Sequence, residues 1–106
     1  MAIEIKVSDF SKTPGARYYT DGQFSGEEFY DKVLCDAFGR ALEADETLIV
    51  DLDGTEGYAT SFLDEAFRRL GEKFSPQTVL SHLKIISNEE PDWEQEIKSY
   101  ISDIIQ

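Results

Sequence analysis

The stretch Leu48 to Leu70, LIVDLDGTEGYATSFLDEAFRRL, constrains the fold more than any other part of the chain. It begins with the apolar run Leu48-Ile49-Val50, whose branched side chains favour a strand buried on both faces. Two carboxylates, Asp51 and Asp53, close the run, and Gly54 after them is a point where a strand breaks. Thr60 and Ser61 then open a helix. Ser61 with Asp64 fits the S-x-x-D capping box, and Asp64 and Glu65 would place negative charge in the first turn, where the helix dipole favours it. Phe62, Leu63, Ala66, Phe67 and Leu70 recur at helical spacing, so one side of this helix packs inward. The segment is therefore a strand, an acidic loop and a helix start carrying hydroxyls.

On the N-terminal side, Ile3, Ile5 and Val7 alternate with polar neighbours as a half-exposed first strand. Pro14-Gly15 and Asp21-Gly22 break the chain between Ser8 and Phe24. Seventeen residues without structure are unusual inside a compact domain, so Ala16 to Tyr19 is expected to form a short second strand. Ser25-Gly-Glu-Glu28 is a capping box that opens a helix with an apolar stripe of Phe29, Val33, Ala37, Phe38, Ala41 and Leu42. Cys35 lies beside that stripe as a half-buried filler. Ser75-Pro76 restarts the chain into a helical turn over Thr78 to Leu80. Leu83, Ile85 and Ile86 read as a further strand ending at Ser87-Asn88. A last helix runs from about Pro91 to Ile105, with Trp93, Ile97, Tyr100, Ile101 and Ile104 as its buried stripe. Strands alternating with helices define a small α/β sandwich, with a mixed sheet of about four strands and helices packed on it.

A chain of 106 residues reads as one domain, 1–106. Twenty-two acids against ten bases give a net charge of −12, a field that repels nucleic acid and anionic membranes and attracts a basic protein surface. The single cysteine excludes an internal disulfide and fits a reducing cytoplasm, and no apolar run approaches the length of a membrane span. His82 is the only histidine and has no second His or Cys nearby, which makes it a surface or capping residue rather than a metal ligand. A soluble cytoplasmic protein with neither metal nor cofactor is expected.

Two families share motifs with the central stretch. LIVDLDGT resembles the first motif of haloacid-dehalogenase-type phosphatases, which implies Asp51 as a nucleophile forming an aspartyl phosphate and Asp53 as general acid and base. Ser87-Asn88 is similar to that family's second, phosphoryl-binding motif. The later lysine clamp and paired magnesium acids of that family have no counterpart in the eighteen residues after Asn88. The carboxylates have a plainer use as acceptors for the N–H groups of the loop.

TEGYATSFLDEAF, Thr55 to Phe67, resembles the phosphorylation segment of STAS domains, the fold of anti-sigma-factor antagonists. In register, Thr60 takes the phosphoacceptor position and Ser61 the second hydroxyl, while Ala59 replaces the family's Asp and Phe62 its Gly. The resemblance is closer to the STAS-like domain of unknown function, a small prokaryotic family, through Ser25 to Phe29, Val50 to Gly54 and Ser61 to Phe67. It implies a non-enzymatic regulatory domain that binds a protein partner, such as a histidine-kinase-like ATPase acting as a Ser/Thr kinase or anti-sigma factor. Thr60 and Ser61 are the phosphorylation candidates, with simple helix capping as their alternative role. Asp53, Gly54, Glu56, Tyr58, Asp64 and Glu65 are the partner-binding candidates. A phosphate there would meet several acids and little cationic compensation, and would eject a partner rather than recruit one.

Overall fold

Each strand is only four residues long, and no two are joined by a hairpin, so helical connections build the sheet. The computed structural model describes residues 2–104. In order, β1 (Ile3–Lys6) runs into a one-turn helix α1 (Val7–Phe10). A single 3₁₀ turn follows at Tyr19–Asp21. One continuous helix then comprises α2 (Gly26–Phe29), a π-helical turn (Tyr30–Leu34) and α3 (Cys35–Glu43). The chain continues as β2 (Leu48–Asp51), α4 (Thr60–Phe74), α5 (Pro76–His82), β3 (Leu83–Ile86) and α6 (Asp92–Ser102). The last helix, expected to reach about Ile105, ends earlier at Ser102, with Asp103 as its C-cap; Ile105 itself lies outside the described residues. No helix among the described residues is long and apolar enough to cross a membrane.

The sheet has three strands in the order β1-β2-β3, all parallel, instead of a mixed sheet of about four. The expected strand at Ala16 to Tyr19 is absent because its main chain serves a helix instead. The carbonyls of Ala16 and Arg17 accept the N–H groups of Gly26 and Glu27 at 2.8 and 3.0 Å, completing the start of α2. Val7, read as part of the first strand, is fully buried at the start of α1.

Register places Ile3, Leu48 and Leu83 in one row and Ile5, Val50 and Ile85 in the next. Leu48, Val50 and Ile85 from these rows enter the core. The opposite face carries Glu4, Ile49, Lys84, Lys6, Asp51 and Ile86, none of them fully buried. β2 is therefore central, as its apolar run requires, but closed on one face only; Ile49 is half-buried rather than enclosed.

The core joins Phe29, Leu34 and Phe38 of the first long helix to Phe62, Leu63, Phe67 and Leu70 of α4 and Ile97 and Ile101 of α6, all 0% exposed. Leu34 was not part of the stripe predicted by a 3.6-residue period. The π turn, in which the Cys35 N–H bonds the Tyr30 carbonyl, adds a residue and moves the buried face from Phe29 to Leu34, with Val33 left half-buried. At Gly26 α2 comes tight against α4: a Cβ built there would overlap the Phe62 carbonyl oxygen and touch the Glu65 Cβ at 3.1 Å.

Two substitutions test this packing by urea denaturation. Leu34→Ala should lower stability by about 2–5 kcal/mol, and Val33→Ala by clearly less. Gly26→Ala should cost about 1–3 kcal/mol despite alanine's better helix propensity, because the obstacle is backbone. Equal loss at Leu34 and Val33 would contradict the π turn.

Candidate functional site

The carboxyl ends of β2 and β3 open on the same side, as parallel strands require, and the loops that leave them enclose a cleft of about 310 Å³. Ligands of open α/β sheets bind in the crevice at this end. The loop after β2 is shaped by its own acids. Asp51 Oδ1 accepts the Asp53 N–H at 2.9 Å, the side-chain-to-backbone turn that Asp favours. The Asp53 carboxylate reaches the β3–α6 loop and accepts the N–H of Glu89 at 2.9 Å, the N–H of Asn88 at 3.2 Å and the Asn88 Nδ2 at 3.1 Å. Glu89 answers by accepting the Gly54 N–H at 2.9 Å. The bond from the Glu89 N–H, opposed by partial desolvation and helped by both Asn88 donors, holds the Asp53 carboxyl below its usual 3.8.

Gly54 and Gly57 turn the loop at φ +94° and +139°, values that a side chain would strain. Glu56 donates its N–H to the Lys12 carbonyl at 2.8 Å. Tyr58 closes the loop by donating its hydroxyl to the Leu52 carbonyl at 2.6 Å. Its ring stands at 78° to Trp93, with centroids 6.2 Å apart, and also lies 6.1 Å from Phe62. Burial pushes the Tyr58 phenol up, the Thr55 hydroxyl opposes this, and the carboxylates of Asp51, Asp53 and Glu89 add to it.

The structure divides the predicted site residues into two groups. Asp53, Gly54, Glu56 and Tyr58 meet around the cleft loop. Asp64 and Glu65 belong to an ion-pair cluster between the 16–19 segment, α2 and α4. Arg17 Nη1 lies 3.0 Å from Asp64 and 3.5 Å from Glu65. Arg68 pairs with Asp64, Arg69 pairs with Glu65, and Arg69 also reaches Glu27 at 3.2 Å. Glu65 is 8% exposed, so these arginines are what allows its charge to be buried. Burial raises the Asp64 carboxyl, but hydrogen bonds from Arg68 and Arg17 outweigh this and leave it below the usual value. The expectation of little cationic compensation beside these acids is thus overturned.

Thr60 and Ser61 also differ from expectation. The N-cap of α4 is Ala59, and no side chain caps the helix. Ser61 is the second helical residue, so the Ser61–Asp64 capping box does not form, and neither acid lies in the first turn. The helix begins two residues earlier than a Ser61 cap would place it, as Phe62 and Leu63 both enter the core, and the Phe62 N–H closes the first turn on the Ala59 carbonyl at 3.1 Å. Thr60 is exposed and Ser61 is half-buried. Of the two hydroxyls, Thr60 is the more accessible.

Trp93, Glu89 and Glu90 complete the cleft, and Asn88 holds its loop to Asp53, but none of them was singled out as a partner-binding residue. Trp93 had been read only as core stripe, and Asn88 only through its resemblance to a phosphatase motif. Among the described residues, no group of three His, Cys, Asp or Glu side chains is placed to hold a metal ion.

The fold is an α/β domain with a three-stranded parallel sheet, helical crossovers and an acidic loop leading into α4. The chain belongs to the family described as the STAS-like domain of unknown function, whose model matches residues 25–93, about two-thirds of its length. Neither the curated proteins nor the solved structures contain a match to it.

The clasp between the two loops carries a pH dependence of known sign. Because the Asp53 pKa is depressed on folding, its contribution is complete above the ordinary value of 3.8 and is lost as pH falls through the lower folded value. The Asn88 and Glu89 amides should therefore exchange slowly at neutral pH and lose protection on that acid flank. In Asp53→Asn their protection should be low and flat across it, as NMR hydrogen exchange would show.

Proposed function

We propose that this chain is a non-enzymatic regulatory domain of a prokaryotic signalling circuit. It binds a cytoplasmic partner protein through the β2–α4 loop and the adjoining cleft, and phosphorylation at Thr60 is the candidate switch of that binding. The observation that carries this reading is the use made of the loop's donors. The N–H groups of Asp53, Gly54, Asn88 and Glu89 are all bonded to carboxylates of the chain itself. A phosphate-handling centre needs such donors, or cations, free for its substrate. Here they fix the shape of an acidic surface instead, which suits recognition by a basic protein face.

Asp53 is the loop acceptor that its plainer reading requires, with both carboxylate oxygens engaged by backbone N–H groups of the neighbouring loop. No feature of the structure supports the phosphatase alternative. Membership of the STAS-like family supports the choice of partner class, a histidine-kinase-like ATPase acting as a Ser/Thr kinase or anti-sigma factor. Thr60 follows two residues after Tyr58, on an exposed helix start, where a kinase could reach it.

Capture of the tagged chain from its native cell, with mass spectrometry of the bound protein and of the Thr60-containing peptide, identifies the partner. Because the added carboxylate extends a surface that a basic face recognises, calorimetric titration with that partner should show Thr60→Glu binding more tightly, by up to about tenfold or about 1.4 kcal/mol, rather than ejecting it. Thr60→Ala should bind as the parent does. Since neither hydroxyl caps α4, Thr60→Ala and Ser61→Ala should both melt within about 0.5 kcal/mol of the parent. Unchanged affinity in Thr60→Glu would remove the switch, and turnover of a phosphomonoester that disappears in Asp51→Asn would restore the enzyme reading.

A further inference from the structure

We propose that the cleft between Tyr58 and Trp93 receives an arginine side chain of the partner protein, an inference that rests on the partner-binding reading above. Size sets the first limit. At about 310 Å³ the cleft is at the lower end of small-molecule sites, room for one long side chain rather than a nucleotide.

Charge sets the second. An anion would find few backbone donors in the two loops, because the N–H groups of Gly54, Asn88 and Glu89 are committed to Asp53 and Glu89 and that of Glu56 to the Lys12 carbonyl. The lining instead presents the carboxylates of Asp53, Glu56, Glu89 and Glu90. Glu56 and Glu90 are exposed, and neither enters an ion pair among the described residues. Lys12, the basic residue whose carbonyl holds the Glu56 N–H, pairs with neither of them.

The cation that fits is organic. No cluster of three ligating side chains is placed for a metal ion among the described residues, whereas one wall of the cleft is aromatic. A planar guanidinium can lie against Trp93 while its N–H edge meets carboxylates, and an ammonium lacks that fork. Within the fold, Asp64 and Glu65 of α4 are paired with Arg17, Arg68 and Arg69, whereas the lysine pairs, Lys32–Glu28 and Lys98–Glu94, involve exposed lysines.

Trp93 is the only tryptophan, so its fluorescence reports occupancy directly. The full chain is titrated with a short blocked peptide containing one arginine, and with the same peptide carrying citrulline or lysine. The arginine peptide should shift the emission saturably, with the citrulline peptide about tenfold weaker, as loss of a charge-assisted bond predicts. The Glu56→Gln/Glu90→Gln double variant should weaken the arginine peptide by about the same factor, with an unchanged melting curve to show that the fold is intact. No response to the arginine peptide, an equal response to citrulline or lysine, or parental affinity in the double variant would each overturn the proposal. The titration needs no partner, so it stands apart from the capture experiment. A captured partner that binds the double variant normally would overturn the arginine site while leaving the partner-binding reading in place.

Discussion

The approach of α2 to α4 at Gly26 is the contact on which the rest of the molecule depends. With only a hydrogen in place of a side chain, the start of α2 sits against the Phe62 carbonyl, closer than any substituted residue would allow. That closeness brings Phe29 within 5.7 Å of Phe62, centroid to centroid, and lets Arg69 span Glu65 and Glu27. It also fixes where α4 begins, and hence where the acidic loop must end. Two of the segments that carry the family resemblance, Ser25 to Phe29 and Ser61 to Phe67, are the two sides of this contact. Much of what marks the family in sequence is therefore packing.

The third such segment, Val50 to Gly54, has a different job. Its carboxylates reach backbone donors, one in their own loop and others in the loop after β3, so that two connections otherwise free to move become one surface. The acids of α4 are held separately, by arginines. A chain with a net charge of −12 thus keeps some acids neutralised inside its framework and leaves others, Glu56 and Glu90 among them, to define the field around the cleft.

What the sequence revealed and what it hid follow one rule, the distance between a residue and its partner. β2, the Ser25 cap and the stripe of α4 depend on near neighbours, and they were legible. Leu34 was missed because five-residue spacing through a π turn falls out of phase with any 3.6-residue template. The 16–19 segment was read as a strand because its true partner, the start of α2, cannot be inferred from its own composition. Ser61 looked like a cap because the pattern matched, yet burial of Phe62 and Leu63 drew the helix start back to Thr60. The clasp of Asp53 on Asn88 and the pairing of Arg17 with Asp64 join residues 35 and 47 positions apart, beyond the reach of local patterns.

The all-parallel sheet has a consequence for how the chain comes together. With no hairpin, every strand pairing waits for a full crossover: Ile3 finds Leu48 only after the first long helix, and Leu48 finds Leu83 only after α4 and α5. Loop closure must therefore precede any gain from the ladder, which places this small domain among slower folders for its size. During synthesis β2 would emerge and pair with β1 while its other edge still waited for β3. The acidic loop at the end of β2 would be made before Asn88 and Glu89, the groups that hold it. The clasp at the cleft is thus among the last parts of the fold to close, and the surface it shapes exists only on a finished molecule.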